Sequence, residues 1–285
     1  MNHLKVALNA GLWFVGVPIG TARDITLRAL DVLASADVLV AEDTRSLRKL
    51  MDIHGVPLNG RRIYALHEHT NDSVVATLVE RAMTGESVAY ASEAGMPLIA
   101  DPGFELALAA RKAGVEVTCA PGPSAVLTAL VVGGLATDAF HFAGFLPATR
   151  SARKSALAAV AGVQATLVLY ESPKRVGALL ADAAETLGPD RPATVCRELT
   201  KKFEEKRHGT LLELAEHFAS TPVKGEIVVL IGRAERRAVN EKDIESALQS
   251  ALQDMSVKDA AAFVAETFDV PKRQVYQQAL SLSRD

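Results

Sequence analysis

Two hydrophobic patterns alternate along the chain and predict alternating strands and helices. Short apolar runs rich in β-branched residues are typical of strands, whereas apolar residues three or four positions apart are typical of helices. The predicted strands are 12–17, 37–41, 62–66, 87–91, 115–119, 139–145, 165–170, 193–198 and 226–232. The predicted helices are 23–35, 44–53, 71–84, 103–113, 124–133, 151–160, 173–187 and 210–219. Because these strands are apolar throughout, we expect sheets that helices cover on both faces.

The pattern changes at the Pro-Gly-Pro of residues 121–123. Before it, strands and helices alternate; after it, the strands are longer and more mixed, and one charged stretch predicts a hairpin that turns at Gly209. We therefore expect an α/β protein with two α/β domains, 11–122 and 123–236. Ligands of such sheets bind beyond the carboxyl ends of strands or between domains, which predicts a binding cleft there.

The end of the chain, 238–285, predicts a separate helical segment. Ser256 and Asp259 have the spacing of a capping box, and Pro271 suits the first position of a helix. With a helix over 241–253, these signals give three short helices, a pattern compatible with a helix-turn-helix-like module. A helical appendage that only packs on the body explains the same pattern equally well.

Composition and charge narrow the class of protein. Of the 285 residues, 49% are hydrophobic and 23% are charged, which is typical of a globular protein with a large core. The net charge of −3 argues against a protein that coats nucleic acid over its whole surface, but permits a local basic patch. No apolar run is as long as a membrane span, which needs about 18 residues. We also see no pattern of a secretory signal before the first strand. We therefore expect a cytoplasmic protein with no membrane partner.

The two cysteines, Cys119 and Cys196, each fall inside an apolar predicted strand. Buried free thiols are the simplest interpretation in a cytoplasmic protein, ahead of a disulfide or a metal site.

The loops directly after predicted strands carry the candidate chemistry. The loop VPIGT at 17–21 lacks both common phosphate-binding fingerprints, and Pro18 removes a backbone donor. Such a rigid wall suits an apolar or cationic ligand, although a plain structural turn fits equally well. The loop 91–104 is long and stiff and offers the carboxylates of Glu93 and Asp101. For Asp101 alone, capping of the following helix is the preferred interpretation.

Three further stretches add polar candidates. Ser124 begins a helix, where it can cap that helix or bind a ligand. Lys174 and Arg175 fall in the first turn of a predicted helix, against the helix dipole, which suggests an external anion. His67 and His69 share one face of an extended segment, but no third ligand has suitable spacing, so we expect a polar cleft lining and no metal.

Basic residues cluster in loops and just after strand ends. These clusters are Arg45, Arg48 and Lys49; Arg150, Arg153 and Lys154; and Arg197, Lys201, Lys202, Lys206 and Arg207. Several such groups on one face can bind a phosphate backbone. A solvated charged surface is the usual alternative, and the interleaved glutamates weaken the nucleic-acid interpretation when it is taken alone.

Taken together, these stretches resemble one family. The motifs VPIGTARDITLRAL, ADVLVAEDTRSLRKL, LHEHTND, SEAGMPLIADPG, PGPSA, GFLP, YESPKRV, RELTKKFEE and KGEIVVLI follow one another over about 12–232. In this order they resemble the ribosomal RNA small subunit methyltransferase I family, which has the tetrapyrrole-methylase-like fold. The tail resembles the small helix-turn-helix-like domain that ends many members.

The resemblance implies a specific activity and specific partners. It implies two α/β domains of the tetrapyrrole methylase type, a homodimer, and S-adenosyl-L-methionine folded in the cleft between the domains. It also implies 2′-O-methylation of a cytidine in the decoding region of 16S rRNA, so the partner is the small ribosomal subunit.

The resemblance also implies site residues. The expected cofactor contacts are Pro18, Gly20, Glu93, Gly95, Met96, Ile99, Ser124, Ala125, Tyr170, Glu171 and Gly225. The RNA contacts that it implies are Arg45, His67, His69, Arg197, Lys201 and Lys202, and we add the basic residues Lys174 and Arg175 as expected RNA contacts. For the base that takes the hydroxyl proton, the resemblance fixes no residue, and Glu93, Asp101 and Glu198 all remain candidates.

This chain departs from the family's usual motifs at a few positions. Val17 and Thr21 flank the Pro-Ile-Gly where threonine and asparagine are usual, Glu93 replaces aspartate, Met96 replaces threonine, and Lys174 replaces histidine. These changes bear on the cofactor contacts more than on the type of reaction.

Two rival functions remain at this point. A methyltransferase acting on a tetrapyrrole precursor would share the fold, but would carry a glycine-rich G-x-G-P-G-D first loop in place of VPIGT. A non-catalytic nucleic-acid-binding regulator would use the terminal helices and would bind no S-adenosyl-L-methionine.

Overall fold

The computed structural model describes residues 3–67, 72–234, 241–268 and 270–283, with only the backbone of Glu241 and Lys242. The chain forms two compact units, Met1–Ala234 and Glu235–Asp285. The first unit contains two five-stranded sheets, and the second is helical.

The first sheet is entirely parallel. Its strands are β1 (Gly11–Val15), β2 (Val38–Ala41), β3 (Ile63–Ala65), β4 (Ser87–Ala91) and β5 (Val117–Ala120), in the order β3-β2-β4-β1-β5. The helices are α1 (Leu27–Ser35), α2 (Thr44–Ile53), α3 (Asp72–Met83) and α4 (Phe104–Lys112). One face packs against α1 and α2 and the other against α3 and α4, so the expected cover on both faces is confirmed.

The second sheet is mixed. Its strands are β6 (Phe140–Phe145), β7 (Thr166–Glu171), β8 (Pro192–Arg197), β9 (Glu205–Thr210) and β10 (Ile227–Ile231), in the order β6-β7-β10-β8-β9. Only β6 and β7 pair in parallel. One face packs against α6 (Arg150–Ala159), α7 (Val176–Leu187) and α8 (Leu211–Ser220), and the other against α5 (Ala125–Val132).

The predicted turn at Gly209 is wrong. Gly209 lies inside β9, where it pairs with Ala193, and the hairpin turns over 198–204 instead. The sequence pattern did not reveal β9 because its side chains are charged. An edge strand with one solvated face needs no continuous apolar pattern.

The expected burial holds for only one of the two cysteines. Both thiols are free; Cys196 is buried in β8, but Cys119 is exposed. The reason is position, because β5 forms an open edge of the first sheet whereas β8 has a strand on each side. The interpretation of Cys119 as a buried thiol is therefore wrong.

The helical unit contains three helices in its described residues. These are α9 (Glu241–Ala251), α10 (Val257–Phe268) and α11 (Lys272–Leu282), around a core that includes Leu248, Val264 and Val275. The Ser256 hydroxyl accepts a hydrogen bond from the Asp259 backbone N–H at 3.2 Å, as a helix cap does. Pro271 is the N-cap of α11 rather than its first helical residue. None of the described helices combines the length with the apolar composition that a membrane span requires.

Candidate active site between the two sheets

A pocket of about 390 Å³ lies between the two sheets of the first unit. We call the part of this unit that holds the first sheet its first half, and the part that holds the second sheet its second half. The first half contributes Glu42 after β2 and the loop after β4 to the pocket. The second half contributes the end of β7 and the start of β10. The complete lining is Ile19, Glu42, Glu93, Ala94, Gly95, Met96, Ile99, Ala100, Asp101, Ser124, Ala125, Phe145, Tyr170, Glu171, Ser172, Pro173, Cys196, Leu199, Gly225, Glu226, Ile227 and Val228. The pocket therefore lies where ligands of α/β sheets bind.

Most of the expected cofactor residues meet in this pocket. Those that line it are Glu93, Gly95, Met96, Ile99, Ser124, Ala125, Tyr170, Glu171 and Gly225. Pro18 and Gly20 do not line it and instead border a separate groove beside α2. Ser124 also caps α5, since its hydroxyl accepts a hydrogen bond from the Leu127 backbone N–H at 3.4 Å.

The first loop is tied to the other pocket loops through its backbone. Val17 and Gly95 exchange two backbone hydrogen bonds of 2.9 and 3.1 Å. Beside them, the Met96 sulfur accepts a hydrogen bond from the Gly122 backbone N–H at 3.2 Å. Gly16 packs so tightly on Gly122 that a Cβ would lie 2.6 Å from the Gly122 nitrogen. Met96, one of the departures from the family motif, thus helps to join these loops.

Gly20 brings the two halves of the unit together. A Cβ at Gly20 would lie 2.4 Å from Thr200 Oγ1 and 2.9 Å from the backbone oxygen of Leu199. The Thr21 backbone N–H donates to the Thr200 hydroxyl at 3.2 Å. This part of the first loop therefore packs against the β8–β9 turn.

Among the carboxyl groups that line the pocket, Asp101 has the most strongly shifted pKa. Burial raises its pKa to about 7, the negative charge of Glu42 adds to the rise, and the Ser92 hydroxyl opposes it. The negative charges of Glu93 and Glu226 also raise the pKa of Asp101, by less than that of Glu42. Desolvation and like charges both favour the neutral acid, so Asp101 titrates near neutrality.

The capping role preferred for Asp101 is wrong. The N-cap of α4 is Gly103, with φ of 112°, and no side chain caps that helix. Gly103 packs on Tyr90 and Leu98, and a Cβ there would lie 3.0 Å from either side chain. Because the chain turns through this glycine, Asp101 is free to line the pocket.

The other two candidate bases lie in different surroundings. Glu93 lines the pocket but is exposed, and its backbone N–H donates to Glu42 Oε2 at 3.1 Å. Glu198 does not line the pocket; its Oε1 accepts from Lys201 Nζ at 2.9 Å and from the Glu226 backbone N–H at 3.0 Å. The hydrogen bond from the Glu226 backbone is the main cause that lowers the pKa of Glu198. Gly225 leaves room for this carboxylate, because a Cβ would lie 2.4 Å from it.

The YESPKR stretch contains its own counter-ion. Helix α7 begins at Val176, so the prediction that Lys174 and Arg175 lie in its first turn is wrong. Arg175 Nη2 lies 3.2 Å from Oε2 of the buried Glu171 and donates to the backbone oxygen of Leu146 at 2.7 Å. The neighbouring carboxylate therefore balances Arg175 without an external anion, while Lys174 is exposed.

None of the expected RNA contacts that the structure describes lines the pocket. The Arg45 side chain is 91% exposed and pairs with Asp43. Arg197 pairs with Glu205 at 2.9 Å, and Lys201 pairs with both Glu198 and Glu226. Lys202 and His67 are exposed, whereas His69 lies outside the described residues. No group of three potential metal ligands occurs in the described ranges.

Several lining residues were missed by sequence reasoning. Glu42 directly follows β2, and the rule that parallel strands end at one edge would have found it. Glu226 precedes β10, and it reaches the pocket only because β10 runs antiparallel to its neighbours. Phe145 and Leu199 gave no chemical signal because they are apolar.

Comparison with known proteins first identifies the class. Residues 11–215 match the family of Tetrapyrrole (Corrin/Porphyrin) Methylases, and residues 238–283 match the RsmI C-terminal HTH domain. A uroporphyrin-III C-methyltransferase from Thermus thermophilus, solved in complex with S-adenyl homocysteine, has the same fold, with a TM-score of 0.54 and 22% identity. The match covers 78% of this chain and 97% of that chain. The chain is thus a methyltransferase of the tetrapyrrole methylase class.

Closer relatives identify the family within that class. The chain is 45% identical to the ribosomal RNA small subunit methyltransferase I of Mesorhizobium japonicum, across 96% of this chain and 93% of that protein. It is 41% identical to the protein of that name from Vibrio cholerae, across 94% of each chain. The chain therefore belongs to the ribosomal RNA small subunit methyltransferase I family, which confirms the predicted family, fold class and cofactor, S-adenosyl-L-methionine.

Proposed function

We propose that this chain transfers a methyl group from S-adenosyl-L-methionine to the 2′-hydroxyl of a cytidine in 16S rRNA of the small ribosomal subunit. The observation that carries the proposal is the group of carboxylates at the pocket, where Glu42, Glu93 and Glu226 surround Asp101. Carboxylates attract a sulfonium cation. The names of the relatives from Mesorhizobium japonicum and Vibrio cholerae supply the substrate class, small subunit ribosomal RNA.

The residues present fit this cofactor. The volume of about 390 Å³ suits a small ligand, and Ile19, Leu199 and Val228 supply an apolar wall for a flat base. Glu171 lines the pocket and is held in place by its ion pair with Arg175 and by the Ser172 backbone N–H, which donates to Oε1 at 2.7 Å. Gly95, with φ of 72°, keeps the backbone next to Ile19.

Asp101 is the proposed general base. When bound, S-adenosyl-L-methionine supplies an electrophilic methyl group and leaves as S-adenosyl homocysteine. Asp101 would accept the proton that the ribose hydroxyl loses, because it lines the pocket and has a pKa of about 7. A base with a pKa near the working pH is ionised in a large share of molecules and still accepts a proton readily. Glu198 is less suitable because Lys201 and the Glu226 backbone already occupy its carboxylate.

The proposal is tested by labelled methyl transfer onto small ribosomal subunits from a strain that lacks this gene. The modified nucleotide is mapped afterwards. We expect one labelled cytidine, methylated on the ribose. Label on a base, or no label in rRNA, would overturn the proposed substrate. Calorimetry with S-adenosyl-L-methionine gives an independent result, because a non-catalytic regulator would bind none.

The homodimer and the cytoplasmic location remain proposals. In favour of the dimer, α5 carries apolar side chains on its outer surface, with Leu127 55% and Val131 82% exposed. Apolar side chains grouped on a surface are typical of contacts between proteins. Light scattering on the intact chain and on Val131→Glu tests this, since the charge should convert a dimer into a monomer. A wild-type monomer at micromolar concentration would contradict the dimer.

A further inference from the structure

The β8–β9 turn, 198–204, supplies both a wall of the pocket and an exposed aromatic ring. Leu199 is 6% exposed and lines the pocket. Four residues further on, Phe203 is 64% exposed and does not line the pocket. The ring therefore lies outside the pocket, on the same short turn that forms part of the pocket wall.

Hydrogen bonds give the turn a defined conformation. The Thr200 backbone N–H donates to Glu204 Oε2 at 2.7 Å, and the Lys201 backbone N–H donates to the Glu198 backbone oxygen at 2.9 Å. Glu198 and Thr200 have φ of 51° and 63°, values that need such support in residues other than glycine. Because the turn is already ordered, a ligand that stacks on Phe203 has little chain entropy to remove.

The charges around Phe203 favour an anionic ligand with a flat group. Lys202 Nζ lies over the Phe203 ring, 5.5 Å from its centre. The neighbouring cations Arg197, Lys201 and Lys206 have carboxylate partners. Within the part of the chain that the structure describes, Lys202 forms no ion pair, so its ammonium group can contact a phosphate.

We propose that Phe203 and Lys202 bind an unpaired nucleotide of the RNA substrate next to the target ribose. The base stacks on the ring face opposite Lys202, and Lys202 contacts the adjacent phosphate. Single-stranded nucleic acids are bound by this combination of aromatic side chains and cations. The inference rests on the proposed function, and it adds a residue that holds the RNA in position beside the pocket.

The test compares Phe203→Leu with Phe203→Tyr. We expect Phe203→Leu to raise the KM for unmethylated small ribosomal subunits by at least about fivefold, because stacking on an aromatic ring contributes this much per base. Phe203→Tyr keeps the ring and should stay within about twofold of wild type. Calorimetry should give the same affinity for S-adenosyl-L-methionine in both variants. Phe140→Leu is the matched control, since this phenylalanine is 45% exposed but lies at the far end of β6 from the pocket.

A second readout needs no methyl transfer. The chain has one tryptophan, Trp13, so Phe203→Trp places a new fluorophore at the proposed contact. Unmethylated small subunits should quench the added fluorescence without cofactor, and Lys202→Met in that background should weaken the binding. An unchanged KM in Phe203→Leu, equal impairment of Phe203→Leu and Phe203→Tyr, or no quenching would overturn the inference. Failure of the wild-type chain to methylate small subunits would instead overturn the proposed function.

Discussion

The first sheet brings only the carboxyl ends of its parallel strands to the pocket, whereas the second brings strand ends of both directions. From the first half come the carboxylates of Glu42, Glu93 and Asp101. From the second come Tyr170, Glu171 and the start of β10. The proposed proton transfer thus falls to the first half, and the apolar wall and the proposed RNA contact fall mainly to the second.

The largest expected effect comes from removing the proposed base in the first half. Asp101→Asn should lower kcat by roughly 100-fold or more at saturating S-adenosyl-L-methionine, since a positioned base contributes about that much. Glu198→Gln, in the second half, should lower kcat by less than about tenfold because this side chain only positions Lys201 and Glu226. The measurement is labelled methyl transfer at saturating substrates. Equal losses in the two variants would remove the distinction between the halves.

The next largest expected effect comes from disturbing the contact between the two halves. Gly20→Ala places a methyl group against Thr200 and the backbone of Leu199, and we expect a loss of about 1–3 kcal/mol in the free energy of unfolding. Gly162→Ala is the control, because nothing lies within 4 Å of a Cβ there. Its effect should stay within about 0.5 kcal/mol. Urea unfolding measures both, and equal stability of the two variants would show that the β8–β9 turn yields without cost.

The raised pKa of Asp101 predicts a smaller, pH-dependent effect on stability. Its pKa is about 7 in the folded chain, whereas the ordinary value for aspartate is 3.8, so between these values the folded state holds the proton more strongly than the unfolded state. Stability from this group is thus fully present below about pH 4 and is lost as the pH rises to 7. Asp101→Asn should unfold at a higher urea concentration than wild type at pH 8 and match it at pH 4, because asparagine carries no charge at either pH. A difference that does not change with pH would contradict the raised pKa.

How far the sequence predicts the structure also differs between the halves. In the first, every strand is parallel, so residues that follow different strands meet at one edge, and this rule would place Glu42 after β2 beside the loop after β4. In the second, Glu226 reaches the pocket only through the antiparallel direction of β10, which its apolar sequence does not reveal.

Local sequence signals misled where tertiary packing decided the outcome. Asp101 stands just before a helix and looks like its cap, but the turn at Gly103 removes it from that position. Lys174 and Arg175 look like a site for an external anion, yet Glu171, four residues before Arg175, is its ion-pair partner. The distance between such groups depends on the turn between them, which the sequence alone does not define.

The smallest expected effect is a difference between the two sheets in the reactivity of their thiols. Cys119 on the edge strand β5 should react with a thiol reagent in the folded chain at pH 8, whereas Cys196 in β8 should react only on unfolding. Burial raises the pKa of both thiols, and raises that of Cys196 to about 11, so Cys196 has little thiolate in addition to its lack of access. Cys119→Ser should abolish the fast reaction and change stability by less than about 0.5 kcal/mol. Cys196→Ser should leave the fast reaction unchanged but lower stability by about 1–2 kcal/mol, because it buries a hydroxyl among apolar side chains. If both thiols react at the same rate in the folded chain, the second sheet opens as readily as the edge of the first.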